Sequence, residues 1–258
     1  MEDQELTKRQ RQDLNRQKSK EEVSSNQKKG SLFNKILALV GIVGVAFIFW
    51  KLITSGEAVP ENAPLNLQEA GQIQEGDYIY GNKDSKIVLV EYADFQCPAC
   101  GVYHPITKKL QEEFGDRVAF VHRDFPLRTV HRHAQISSQA AYAANLQGKF
   151  WEMHDKLFES QEDWSTLRDP KSEYEKFAVE LGIDVEKFKQ DMNSDEAKNF
   201  VDNAYNKAVA LNLNSTPTFI LNGESLESPR GYEPFKALIE EKLNSLQLEA
   251  SPSAEVEQ

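Results

Sequence analysis

A strand, a cysteine pair and a helical pattern follow one another without a break in this chain, and this junction constrains its fold most. The stretch KIVLVEYADF (86–95) is rich in β-branched and apolar residues, as buried central strands are. Both cysteines of the chain follow at once, in DFQCPAC (94–100), and VYHPITKKLQEEFG (102–115) comes next. A second β-like stretch, RVAFVHRDF (117–125), closes the series. Strand, helix and strand predict a right-handed βαβ unit with the cysteines at its first turn.

The helix of this unit is predicted from its apolar residues. They recur at every fourth position, which indicates one buried face, at Val102, Ile106, Leu110 and Phe114. Pro98 suits the first turn of the helix, Pro105 is expected to kink it, and Gly115 is expected to end it.

The remaining patterns complete an α/β fold. Residues 131–160 and 171–212 are helical in pattern, so an all-helical insertion is predicted over about 131–212. PTFILNG (217–223) predicts a short strand that ends in an Asn-Gly turn, and residues 231–246 predict a closing amphipathic helix. The fold class is therefore a small α/β sheet interrupted by helices.

A run of fifteen uncharged residues, ILALVGIVGVAFIFW (36–50), predicts a transmembrane helix. Extended to residues 32–53 it would span about 33 Å at the helical rise of about 1.5 Å per residue, and Lys51 can reach the headgroups. A buried core helix would carry a polar stripe, which this run lacks. A cleavable signal peptide that ends near Gly56 and Ala58 is the stronger alternative.

Charge predicts the direction of this helix. Residues 1–35 contain nine Lys or Arg against six Asp or Glu, whereas the residues beyond Lys51 contain 20 against 35. The positive-inside rule then puts the polar tail 1–31 in the cytoplasm and the acidic part outside, as in a single-pass bacterial membrane protein. The acidic part has no basic stripe to neutralise phosphates, which argues against nucleic acid as a partner.

The chain beyond the membrane is predicted to have three parts. Residues 54–77 are polar and contain Pro60 and Pro64, which indicates a linker. Residues 78–248 form the working domain, and residues 249–258 read as a disordered tail.

Three interpretations of Cys97 and Cys100 compete. A structural zinc site needs four ligands, and the single cysteine pair with His104 supplies only three. A structural clasp is a weak alternative, because so short a ring closes little loop entropy. The redox interpretation has positive support: Cys97 lies where a strand passes into a helix, whose unpaired N–H groups and positive end lower a thiol pKa. Cys100, one turn later, can then resolve a mixed disulfide.

The motifs in their order resemble a known family. YGNKDSKIVLVEYADFQCPACGVYHPITKKL, then FPLRTVHRHAQISSQAAYAANLQGKFWEMHDKLFESQ, then STPTFILNG look like the DsbA family of extracytoplasmic thiol–disulfide oxidoreductases, in particular its membrane-anchored Gram-positive DsbA/BdbD type. The resemblance covers about residues 78–246. It implies a thioredoxin-like fold with a helical insertion, and no metal or other cofactor beyond the redox-active disulfide Cys97–Cys100.

The resemblance also implies residue roles. Cys97 would be the nucleophile and Cys100 the resolving thiol. Pro217 matches the family's cis-proline, which faces the cysteines and exposes backbone groups of Thr216 to an extended substrate. Glu91 matches a buried acid that relays protons to Cys100, and its alternative is an exposed charge at a strand end.

Some positions leave the chemistry open. Pro98 and Ala99 separate the cysteines, whereas the best-known strongly oxidising members have His where Ala99 stands, so the direction of electron flow is not fixed. His104 is a possible tuning residue for Cys97, with a solvated or capping histidine as the favoured alternative. The histidines at 131, 133 and 154 are expected to be structural.

The function expected from these residues is an oxidase that introduces disulfides into reduced exported proteins. A membrane quinone-linked reoxidase of the DsbB or VKOR type is the expected partner, because the chain has no second cysteine pair to pass electrons onward. A reductase or isomerase on the same fold, or a non-catalytic chaperone or binding module, is the alternative.

Overall fold

The structure is a computed structural model that describes residues 66–227 and 229–250. The predicted tail 1–31, the predicted transmembrane helix 32–53 and most of the predicted linker lie outside these residues. No helix within the described residues is both long enough and apolar enough to cross a bilayer.

The described residues form five strands and nine helices around one sheet. The strands are β1 (Tyr78–Gly81), β2 (Val88–Ala93), β3 (Ala119–Asp124), β4 (Thr218–Leu221) and β5 (Glu224–Leu226). The helices are α1 (Leu67–Ala70), α2 (Pro98–Phe114), α3 (Ala134–Asn145), α4 (Phe150–Glu159), α5 (Gln161–Ser165), α6 (Lys171–Glu180), α7 (Val185–Met192), α8 (Asp195–Ala210) and α9 (Tyr232–Ala250). This is the thioredoxin-like α/β architecture that the sequence predicts.

The sheet has the strand order β1-β3-β2-β4-β5. Strands β2 and β3 are parallel and joined by α2, as the predicted βαβ unit requires, and the other pairs are antiparallel. Every residue of β2 and β3 is buried, as expected for strands in the interior of a covered sheet. The register places Glu91 of β2 beside His122 of β3.

The apolar stripe predicted for α2 is wrong at its N-terminal end, where it assigns an exposed residue to the buried face. Leu110 and Phe114 are buried, but Val102 is 67% exposed. With 3.6 residues per turn, a four-residue spacing drifts by about 40° at each step, so Val102 lies far around the helix from Phe114. The buried face instead runs through Cys100, His104 and Thr107. The cysteine pair therefore shares its helix face with a histidine.

Helices α3 to α8 form the predicted insertion between β3 and β4. Their small and aromatic residues build one apolar cluster, and Phe95, Cys97 and Cys100 belong to that same cluster. The insertion thus covers the turn that carries both thiols.

The predicted linker 54–77 is wrong at its C-terminal end, because the described residues from 66 onward fold onto the sheet. Arg123 of β3 is the reason. Its guanidinium donates to both carboxylate oxygens of Asp77 at 2.7 and 2.8 Å and to the carbonyl oxygens of Ala70 and Gln72 at 2.7 and 2.6 Å. The predicted tail 249–258 also begins too early, since α9 reaches Ala250.

Candidate active site

Cys97 is the N-cap residue of α2, directly after the turn that follows β2. Its backbone N–H donates to the carbonyl oxygen of Asp94 at 3.0 Å, and Pro98 occupies the first turn of the helix. Pro98 and Ala99 are exposed, whereas Cys97 is 6% exposed and Cys100 is fully buried. Both thiols are free. Solvent therefore reaches the dipeptide between the cysteines more easily than either sulfur.

Two side chains that sequence reasoning missed hold this turn. The buried Asp94 carboxylate accepts from the backbone N–H groups of Gln96 and Leu127 at 2.8 and 2.9 Å and pairs with the His131 ring at 2.7 Å. Gln161 of α5 donates to the carbonyl oxygens of Phe95 and Cys97 at 2.7 and 2.9 Å. No local sequence signal marks Gln161, because the insertion brings it back from 64 residues away.

The surroundings of Cys97 favour its thiolate. The hydrogen bond from Cys100 is the largest cause, the Thr216 side chain and the backbone N–H groups of Cys100 and Ala99 add to it, and burial opposes it. Together they lower the pKa of Cys97 to about 5. A thiol with this pKa is almost entirely ionised at neutral pH.

The surroundings of Cys100 have the opposite effect and favour its protonated thiol. Burial raises the pKa of Cys100 well above its usual range, and the neighbouring Cys97 and the charge of Glu91 raise it further. At neutral pH, one thiolate and one thiol therefore share a hydrogen bond.

Glu91 is buried close enough to Cys100 for its charge to act on that thiol, and the alternative of an exposed charge at a strand end is wrong. Burial raises the pKa of Glu91 to about 7, although the charge of His122 opposes the rise. Sequence reasoning missed His122, because its position beside Glu91 depends on a strand register that the sequence does not reveal. A carboxyl with this pKa can both donate and accept a proton at neutral pH.

The loop before β4 completes the site. The peptide bond between Thr216 and Pro217 is cis. Cys97 Sγ lies 3.4 Å from the backbone carbonyl oxygen of Thr216, across 119 positions of sequence. The sequence-predicted residues Cys97, Cys100, Glu91 and Thr216 are thus brought together.

His104 does not match the favoured alternative of a solvated or capping residue. It is 6% exposed, stacks on Phe158 with ring centroids 5.2 Å apart, and faces His154 at 5.3 Å. Burial lowers the pKa of His104. It lies one turn beyond Cys100 on the same buried face of α2, and none of the contacts that set the Cys97 pKa involves it.

The other three predicted histidines have structural contacts. His131 pairs with Asp94, and His133 hydrogen-bonds the carbonyl oxygen of Leu167 at 2.8 Å. His154 is 2% exposed and lies among aromatic rings.

The family model described as "Thioredoxin" matches residues 74–241. This chain belongs to the thioredoxin family. The match contains the strand, the Cys97–Cys100 pair, the insertion and the cis-proline. Family, fold and cysteine pair together make the chain a thiol–disulfide oxidoreductase.

Solved structures give the same fold. Wolbachia pipientis α-DsbA1 aligns with a TM-score of 0.63 at 18% identity, over 71% of this chain and 99% of that protein. Oxidised BdbD from Bacillus subtilis aligns with a TM-score of 0.60 at 24% identity, over 67% and 97%. The catalytic domain of Proteus mirabilis ScsC aligns with a TM-score of 0.57 at 22% identity, over 68% and 94%. The fold is DsbA-like.

Curated relatives carry a different name. The Na(+)/H(+) antiporter NhaA 1 of Mycolicibacterium vanbaalenii is 34% identical over 201 residues, and that of Mycolicibacterium gilvum is 34% identical over 203. The alignment takes 74% of this chain but only 31% of either antiporter. The chain thus spans about a third of the length of these relatives. Their antiport activity is therefore not assigned to it.

Proposed function

We propose that this protein is an extracytoplasmic oxidase that donates its Cys97–Cys100 disulfide to reduced exported proteins. The observation that carries the proposal is the stabilised Cys97 thiolate. A charge that is stabilised only in the reduced protein makes reduction of the disulfide more favourable, as in DsbA, whose reduced form is stabilised. The proposed roles are nucleophile for Cys97 and resolving thiol for Cys100.

The proposed reaction is two successive thiol–disulfide exchanges. A substrate thiolate attacks Cys97 Sγ, the bond between the two enzyme sulfurs breaks, and Cys100 leaves and takes up a proton. A second substrate thiolate then attacks the substrate sulfur of the mixed disulfide, and Cys97 leaves as a thiolate. The substrate loses two electrons and the enzyme gains them. The low pKa of Cys97 favours its departure in the second exchange, because a stable thiolate leaves faster.

Glu91 is proposed as the proton relay for Cys100. The charge of Glu91 acts on the Cys100 pKa, and its own pKa of about 7 lets it supply a proton when Cys100 leaves and remove one when Cys100 attacks. Thr216 is proposed to pair its backbone with an extended substrate beside Cys97, and Pro98, Ala99 and Pro217 shape that surface.

The location and the partner are proposed from the sequence and from the resemblance. Residues 32–53 are proposed to anchor the protein in the cell membrane with the N-terminus in the cytoplasm, so that the redox domain meets exported proteins. A quinone-linked membrane reoxidase of the DsbB or VKOR type is proposed to remove the two electrons.

The decisive experiment is the redox equilibrium of the detergent-solubilised full chain with glutathione. A potential of about −120 to −200 mV, within the range from DsbA to glutaredoxins, would support disulfide donation despite Ala99. A potential near about −270 mV, the value of thioredoxin, would overturn it in favour of the reductase. Full oxidase activity in the Cys97→Ser variant would refute the exchange mechanism itself.

A further inference from the structure

A cluster of metal-ligating side chains lies between α2 and α4, apart from the cysteine pair. One donor atom from each of His104, His154 and Asp155 lies within 4.8 Å of the other two. His154 Nδ1 is 3.2 Å and His104 Nε2 is 3.7 Å from the same oxygen, Asp155 Oδ1. Glu159 Oε1, one turn further along α4, is 3.9 Å from His104 Nε2.

The separations of 3.2, 3.7 and 3.9 Å are near those of tetrahedral coordination, and two of them are longer. Zinc bonds of about 2.0–2.1 Å to nitrogen and oxygen place neighbouring donor atoms about 3.3 Å apart. The donor atoms of His104, His154 and Asp155 lie within 4.8 Å of one another and would move closer together around the ion. Two imidazoles and a carboxylate are a donor set that zinc takes, whereas calcium and magnesium favour oxygen ligands alone.

The ring of His104 gives an independent observation. Both of its ring nitrogens are buried, and neither has a hydrogen-bond partner among the described residues. A buried polar group without a hydrogen-bond partner costs free energy, and a bound cation would supply the missing partner. Stacking on Phe158 and edge contact with His154 hold the ring in place with its Nε2 atom toward the carboxylates.

We propose that His104, His154 and Asp155 bind a zinc ion between α2 and α4, with Glu159 as the fourth ligand. Asp155 and Glu159 are 28% and 53% exposed, so an ion can enter from their side. The site is separate from Cys97 and Cys100. It ties the helix that carries the redox pair to the insertion, one turn beyond Cys100.

Lys108 supplies the sharpest test of this site. Its Nζ atom lies 2.8 Å from both Asp155 Oδ2 and Glu159 Oε1. Zinc on Asp155 Oδ1 leaves the Oδ2 ion pair intact, but it competes with Lys108 for Glu159 and is repelled by the lysine charge. Removal of this charge by Lys108→Met should therefore tighten zinc binding. Lys109→Met is the matched control, because Lys109 packs on the Tyr232 ring instead.

The experiment uses the full chain in detergent, without a polyhistidine tag, and with Cys97→Ser and Cys100→Ser so that no thiolate binds the metal. Titration with Co²⁺, a spectroscopic substitute for zinc, should show one ion per chain with the visible absorption of tetrahedral cobalt. Zn²⁺ should displace it, and excess Mg²⁺ or Ca²⁺ should not.

Ligand variants complete the test. Asp155→Asn and His154→Gln should weaken Co²⁺ binding by about 100-fold or more, since loss of even outer partners costs about 10–100-fold. Lys108→Met should tighten binding several-fold and Lys109→Met should leave it unchanged. Asp155→Asn, with its half-buried side chain, is checked for native circular dichroism. Equal binding in Asp155→Asn and the parent, weaker or unchanged binding in Lys108→Met, or no stoichiometric ion at all would each overturn the proposal.

Discussion

At the scale of single residues, the Cys97 thiolate depends most on its neighbour Cys100. We expect Cys97 to react with iodoacetamide at half its maximal rate near pH 5 in the reduced protein. Cys100→Ala removes the hydrogen bond that lowers the pKa most, so this midpoint should move upward. Cys100→Ser keeps a donor at the same place and should retain more of the effect. Equal midpoints in the two variants would show that the neighbouring hydrogen bond does not set the pKa.

Glu91→Gln tests the proposed proton relay. The rate at which Cys100 resolves a mixed disulfide between Cys97 and glutathione should rise through about pH 7 in the wild type. The variant should lose this rise and react about tenfold or more slowly, because general-base catalysis contributes about 10²–10⁴-fold. The loss of negative charge alone would lower the Cys100 pKa and speed the reaction. A faster variant would therefore exclude the relay.

The same substitution should stabilise the fold at high pH. A folded pKa that is raised to about 7 gives Glu91 a stabilising contribution only at low pH, and that contribution is lost as pH rises through about 7. Above pH 8 the buried charge should cost about 3 kcal/mol, which Glu91→Gln removes. Urea unfolding at pH 5 and pH 8.5 should therefore show a gain for the variant only at the higher pH. An equal change in unfolding free energy at both pH values would show that the substitution acts through packing and not through the charge of Glu91.

At the scale of elements, Arg123 fixes the segment 66–77 to the sheet. Arg123→Gln leaves the buried Asp77 carboxylate without its partner, and we expect a loss of about 3–5 kcal/mol in unfolding free energy. Lys198→Gln is the comparison, since its pair with Asp202 is exposed and should contribute about 0.5 kcal/mol or less. Denaturant unfolding measures both. Similar small losses in the two variants would show that this segment is not anchored through the ion pair.

An element can be predicted from the sequence when its pattern lies within a few neighbouring residues. β2 and β4 are predicted from apolar runs, β3 from an alternating pattern, and α2 from its proline and its glycine. The four-residue spacing used for α2 places Val102 on the wrong face. β1 and β5 have only four and three residues at the sheet edges, too few for a pattern. Within the site, Cys97 and Cys100 are predicted from their spacing in the sequence. Asp94, His122 and Gln161 depend on register and on the return of the insertion, which only the folded chain supplies.

At the scale of the whole molecule, redox state and stability are linked through one thiolate. The insertion buries the thiol turn, yet the partners of Cys97 favour charge, so ionisation of Cys97 stabilises the reduced fold. The depressed pKa gives a contribution that is complete above the unfolded pKa and is lost as pH falls through about 5. The oxidised protein has no such thiol. Cys100 stays protonated in both folded and unfolded chains over this range and adds no slope.

We therefore expect the reduced full chain to gain about 3 kcal/mol of unfolding free energy relative to the oxidised chain between pH 4 and pH 7. Guanidinium unfolding of both forms at several pH values measures the difference. A Glu91→Gln background removes the other group that titrates nearby. Cys97→Ser has a single cysteine and no oxidised form, and its unfolding free energy should follow the pH dependence of the oxidised parent. A difference that stays constant over this range would mean that the thiolate does not stabilise the reduced protein, and the proposed oxidising potential would lose its physical source.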